Sequence, residues 1–120
     1  MSHTPLPHHH GDRSEQLREL MPQEGVFQTV SDSFKLLSDP KRMQLYWLLC
    51  HCEECVLNLA VLMGMSSPAV SHHLKLLKAA GLVTTRREGK EVYYTAAQTD
   101  NAHHLHHMIE KMIQVTCPSE

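Results

Sequence analysis

No stretch of the 120-residue sequence approaches the ~20 consecutive apolar residues of a membrane-spanning helix, so no membrane role is expected. The opening MSHTPLPHHHGD lacks the basic-then-apolar order of a secretory signal, and a cytoplasmic location is expected. There is no His-Glu-x-x-His pair, no glycine-rich phosphate loop and no nucleophile with a base and an orienting group, so an enzyme is not expected. Internal repeats are missing too, and a chain of this length suffices for one domain around one core but not for two ordinary ones. Nor is positive charge in general excess. Eleven Lys and Arg face 13 Asp and Glu, a net charge of −2, which argues against a uniformly basic nucleic-acid binder.

What is present is unevenly placed. Residues 71–90 hold Lys75, Lys78, Arg86, Arg87 and Lys90 against Glu88 alone, a local net charge of +4 that signals a partner-binding patch. Nine of the eleven histidines cluster at 8–10, 72–73 and 103–107. Three of the four cysteines fall in LLCHCEECVLNL, residues 48–59. In a reducing compartment such thiols more often bind metal or do redox chemistry than form structural disulfides.

Hydrophobic spacing and punctuation outline the elements. Residues 1–22 read as a flexible, histidine-containing arm with a short helical piece at RSEQLREL. Residues 23–116 read as the folded domain and 117–120 as a tail. Val26, Phe27, Val30, Phe34 and Leu37 predict a helix over 23–37. Asp39-Pro40 ends it and starts the next, with Asp39 as N-cap and Met43, Leu45, Tyr46, Leu48 and Leu49 for the core. VLNLAVLM is a short helix stopped by Gly64. SSPAVSHHLKLLKAAG is a second helix, capped by Ser66 or Ser67 and closed by Gly81. The alternation in LVTTRREGKEVYYT predicts a hairpin turning around Glu88-Gly89. A last helix over 99–116 carries Leu105, Met108, Ile109, Met112 and Ile113 on one side.

Two helices joined by a glycine turn and followed by a basic-tipped hairpin make a winged helix-turn-helix, an α+β fold that is mostly α. Its second helix fits the major groove of double-stranded DNA. Ser67, Ser71, His72 and Lys75 are the exposed candidates on that helix, and Arg86, Arg87 and Lys90 suit phosphates or the minor groove.

The stretch from LSDPKRMQLYWLL to EVYYT closely resembles the ArsR/SmtB family of winged-helix metal-sensing repressors. Asp39, Pro40 and Arg42 match the family's Asp-Pro-x-Arg opening. Ser67, Val70, Ser71, His73, Leu74 and Leu77 match its recognition helix, Gly81-Leu82-Val83 its Gly-Leu-Val, and Arg86, Gly89, Lys90, Tyr93 and Tyr94 its wing. The resemblance covers about residues 25–95. It implies a homodimer that represses an operator and releases it when an inducer binds.

Two ligand sets suit a metal-ion effector. Cys50, Cys52 and Cys55 are soft donors for Cd, Pb or As(III), and for Zn if His8, His9, His10 or Cys117 adds a fourth ligand. The family box Glu-Leu-Cys-Val-Cys-Asp-Leu aligns with residues 53–59. Cys55 falls on its first cysteine, Leu57 and Asn58 replace its second cysteine and its aspartate, and Cys50 and Cys52 stand just upstream. The second set is on the last helix, where Asp100, His103, His107 and Glu110 fall within an arc of about 80°. The resemblance implies metal binding on paired terminal helices, although only His107-x-x-Glu110 keeps the family spacing. Small buried cysteines and a solvated polar helix face are the bland readings of the two sets. A thiol-redox switch in the same fold is the alternative to a metal effector.

Overall fold

The computed structural model describes residues 4–116. In chain order these form α1 (Arg13–Leu20), α2 (Glu24–Leu36), α3 (Pro40–His51), β1 (Glu54–Cys55), α4 (Val56–Met63), α5 (Ser67–Ala79), β2 (Val83–Glu88), β3 (Glu91–Ala96) and α6 (Asp100–Thr116). They belong to two compact units, one up to Asp32 and one from Ser33, the division falling within the sequence of α2. In the first unit α1 buries no residue, and His8, His9 and His10 are exposed.

The second unit is built on capped helices. The Arg42 backbone N–H donates to Asp39 Oδ1 at 3.0 Å with Pro40 in the first turn, and this pair starts α3. The Ala69 N–H donates to Ser66 Oγ at 3.2 Å and starts α5. Gly64, at φ 62°, closes α4 in the left-handed conformation and makes the tight turn into α5. The core takes Leu45, Tyr46 and Leu49 from α3, Leu59 and Met63 from α4, and Val70, Leu74 and Leu77 from α5. Leu82 and Val83, then Leu105 and Ile109 of α6, join it, along with Leu37 and four alanines. The Tyr46 hydroxyl donates to the Ala102 carbonyl at 2.8 Å and ties α3 to α6 inside that core.

Three expectations shift in detail. Met43 is exposed and Leu48 half-buried, because the buried stripe of α3 runs through 45, 46 and 49. The hairpin loop is Gly89-Lys90, since Glu88 still pairs with Glu91. The cysteine segment between the two helices, which the sequence leaves as a loop, is not one throughout. α3 runs on through His51, and Glu54–Cys55 forms the third strand of an antiparallel sheet of order β1-β3-β2, with Glu54 opposite Tyr94 and Cys55 opposite Tyr93.

Candidate DNA-reading surface and metal-ligand clusters

α5 separates its faces cleanly. Val70, Leu74 and Leu77 are buried, while Ser71, His72 and Lys75 are exposed and Ser67 is half-buried in the first turn. His73 belongs to the inner side, where burial lowers its basicity and its Nδ1 lies 3.3 Å from Arg42 Nη1. The wing is less uniform than its sequence. Arg86 Nη2 donates to Glu53 Oε1 at 2.6 Å and Nη1 to Glu88 Oε2 at 2.6 Å, and the guanidinium lies 4.9 Å from the Tyr93 ring centroid. The Arg86 hydrogen bonds hold the Glu53 carboxyl below the usual carboxylate range. Arg87 and Lys90 are exposed, and among the described residues neither has a carboxylate partner.

The three cysteines stand in three environments. Cys50 packs against the core and its thiol bonds to the Tyr46 hydroxyl; burial pushes the thiol up to about 11. Cys52 caps α3 in extended conformation, with its carbonyl 3.2 Å from Thr95 Oγ1 and its thiol raised by burial and then by Glu54. Cys55 is paired in β1. All three are free thiols. Their sulfurs suit a soft cation chemically, yet they do not form a set within 4.8 Å of one another. Cys117 lies outside the described residues. Of the histidines of the arm, His9 Nε2 is 3.5 Å from Asp12 Oδ1.

On α6, Asp100, His103 and His107 are exposed, and His103 Nε2 lies 3.0 Å from Gln98 Oε1. Glu110 is drawn elsewhere. Its Oε1 accepts the Trp47 indole N–H at 2.8 Å and lies 2.7 Å from His51 Nε2 and 3.1 Å from His106 Nε2. These bonds, His51 first and then His106, hold its carboxyl below the usual range. Asp100, His103, His107 and Glu110 therefore do not converge. Among the described residues, His51, His106 and Glu110 are the only three or more His, Cys, Asp or Glu donors within 4.8 Å of one another. His51 and His106 are missing from both ligand sets read from the sequence. The one local signal was the i, i+4 spacing of His106 and Glu110.

The family model for bacterial regulatory proteins of the arsR family matches residues 39–85. A transcriptional repressor SmtB homolog from Synechocystis is 40% identical over 86 residues, 69% of this chain and 65% of the relative. A cadmium resistance transcriptional regulatory protein CadC homolog from Staphylococcus aureus is 39% identical over 83 residues, 68% of this chain and 65% of the relative. The chain thus spans just under two thirds of either relative. The solved homodimeric winged helix-turn-helix DNA-binding domain of a possible ArsR-family regulator from Mycobacterium bovis superimposes with a TM-score of 0.68 at 29% identity, covering 78% of this chain and 85% of that one.

Proposed function

Because the chain belongs to the ArsR/SmtB family of winged-helix regulatory proteins, we propose that it is a metal-responsive transcriptional repressor, a homodimer that binds double-stranded operator DNA and releases it when a metal ion binds. One observation carries this reading: the cysteine segment is part of the wing. β1 pairs with β3, Glu53 grips Arg86 of β2, and Thr95 of β3 reaches back to the carbonyls of Leu49 and Cys52. Any rearrangement between Cys50 and Cys55 is therefore transmitted to the hairpin beside the recognition helix.

The roles follow from position and chemistry. Ser71 and His72 face base edges, Ser67 and Lys75 steady the helix on the groove, and Arg87 and Lys90 meet phosphates. Arg86 joins them once Glu53 and Glu88 let it go. The proposed effector ligands are Cys50, Cys52 and Cys55, soft donors for Cd, Pb, Zn or As(III), with His8–His10 or Cys117 as additional ligands. Asp100, His103, His107 and Glu110 are the competing set. A bound soft cation would supply a cross-link among the three thiolates. Those thiols must first lose their protons, and burial holds Cys50 and Cys52 in the protonated form, so metal affinity falls as pH drops.

The test is operator binding by the reduced protein titrated with cadmium or lead. A coupling of roughly 1–3 kcal/mol weakens binding about 5- to 150-fold. A sulfur-to-metal ultraviolet band should accompany release, and Cys55→Ser should remove both. Release lost in His103→Ala or His107→Ala but kept in Cys55→Ser moves the effector site to α6. Release by oxidant without metal supports the redox alternative, and release by neither overturns the regulatory reading.

A further inference from the structure

We propose that His51, His106 and Glu110 form a site within one protomer for a borderline divalent cation of the zinc class, separate from the three thiols, with Trp47 as its built-in reporter. The donor set is two imidazole nitrogens and one carboxylate oxygen, which suits Zn, Co or Ni rather than the softer ions that thiolates select. Metal–ligand bonds of about 2.0–2.2 Å at tetrahedral angles hold donors roughly 3.4 Å apart. The two nitrogens already lie 2.7 and 3.1 Å from Glu110 Oε1, and all three donors fall within 4.8 Å of one another. Adjustments of side-chain size, with no backbone movement, take this cluster to coordination distance.

The donors also sit on fixed elements. His51 is the last residue of α3, while His106 and Glu110 stand one turn apart on α6. The buried bond from Tyr46 to Ala102 holds these two helices together beneath them. The Trp47 N–H donates to Oε1, the same carboxylate oxygen that faces the two imidazoles, and orients it as outer-shell donors do for metal ligands. Side-chain exposures of 45% for His51, 30% for His106 and 34% for Glu110 leave the ion a way in and leave room for water as a further ligand. A carboxylate oxygen only accepts, so each imidazole faces it with Nε2–H in the absence of a cation. With a cation bound, each ring carries its one proton on Nδ1 and turns the Nε2 lone pair to the metal, and only a ring that starts as imidazolium gives a proton to solvent.

The site stands apart from the proposed operator response, since its test reads no DNA. Zinc chloride is titrated into the full-length chain while the emission of Trp47, the sole tryptophan, is followed. A saturable change at one equivalent per chain is expected, and it should persist in the Cys50→Ser/Cys52→Ser/Cys55→Ser variant. Glu110→Gln, close in shape, and His106→Ala should each weaken it at least about tenfold, or 1.4 kcal/mol. Nitrogen-15 spectra of the unsubstituted protein give a second readout that needs no variant to fold: the Nε2 resonances of His51 and His106 should shift together with zinc. A Trp47 response indifferent to Glu110→Gln and His106→Ala, or unchanged Nε2 resonances at saturating zinc, overturns the proposal.

Discussion

Asp39 does its work through one oxygen. The Arg42 N–H bond, the largest cause, lowers its pKa below the ordinary value of 3.8. A carboxyl depressed in the folded state favours folding above its unfolded value, and that contribution disappears as pH falls through the lower folded-state value. Urea unfolding followed from about pH 5 down to pH 2 should therefore lose stability in the wild type. Asp39→Asn keeps a capping oxygen but cannot titrate, so its acid limb should be flatter. An equally steep limb would mean that other carboxylates dominate acid unfolding. Tyr46 offers a second residue-scale test. Tyr46→Phe keeps the ring in the core and removes the hydroxyl, with its bond to Ala102 and its contact with the Cys50 thiol, so it should cost about 0.5–1.5 kcal/mol in denaturant titrations.

At the scale of elements the wing behaves as a latched part. Its ion pairs engage the Arg86 guanidinium with Glu53 and Glu88 while Arg87 and Lys90 stay exposed. Arg87→Ala and Lys90→Ala should each flatten the salt dependence of DNA binding by about one unit of log–log slope. Arg86→Ala should flatten it less, and Glu53→Gln with Glu88→Gln should steepen it as Arg86 is released. Equal slopes for Arg86→Ala and Arg87→Ala would remove the latch. Ser71→Ala and His72→Ala should change operator preference more than binding to random DNA. The helices of this unit were legible because their signals are local: Asp39-Pro40, Ser66 and Gly64 each fix a boundary within a few residues. β1 was not legible, for two residues become a strand only through Tyr93 and Tyr94, nearly forty positions away. The cluster at Glu110 was hidden for the same reason. Periodicity places Glu110 on a face of α6, but the facing end of α3 decides which histidines it meets.

For the whole molecule the question is what the apolar surface left on the last helix is for. The sequence puts Leu105, Met108, Ile109, Met112 and Ile113 on one side of the last helix, but they divide: Leu105 and Ile109 are buried in the protomer's own core, whereas Met112 is 61% exposed. Met112 and Ile113, with Phe34, Met43 and Met108, line an apolar groove of about 410 Å³ that Leu37 and Ile109 also border. A groove of this character on a domain with no larger core to draw on fits a two-fold interface, in which the same patch serves both copies. Sedimentation equilibrium at micromolar concentration should give about twice 13.7 kDa. The division of labour on α6 makes the test sharper than a mass. Met112→Glu should shift the chain to monomer and weaken binding to a palindromic operator while the protomer stays folded. Leu105→Ala should instead cost 2–5 kcal/mol of protomer stability, the usual range for emptying a core position. A wild-type monomer that binds the palindrome undiminished, or a Met112→Glu dimer, would assign the groove another role and leave each winged helix to read its half-site alone.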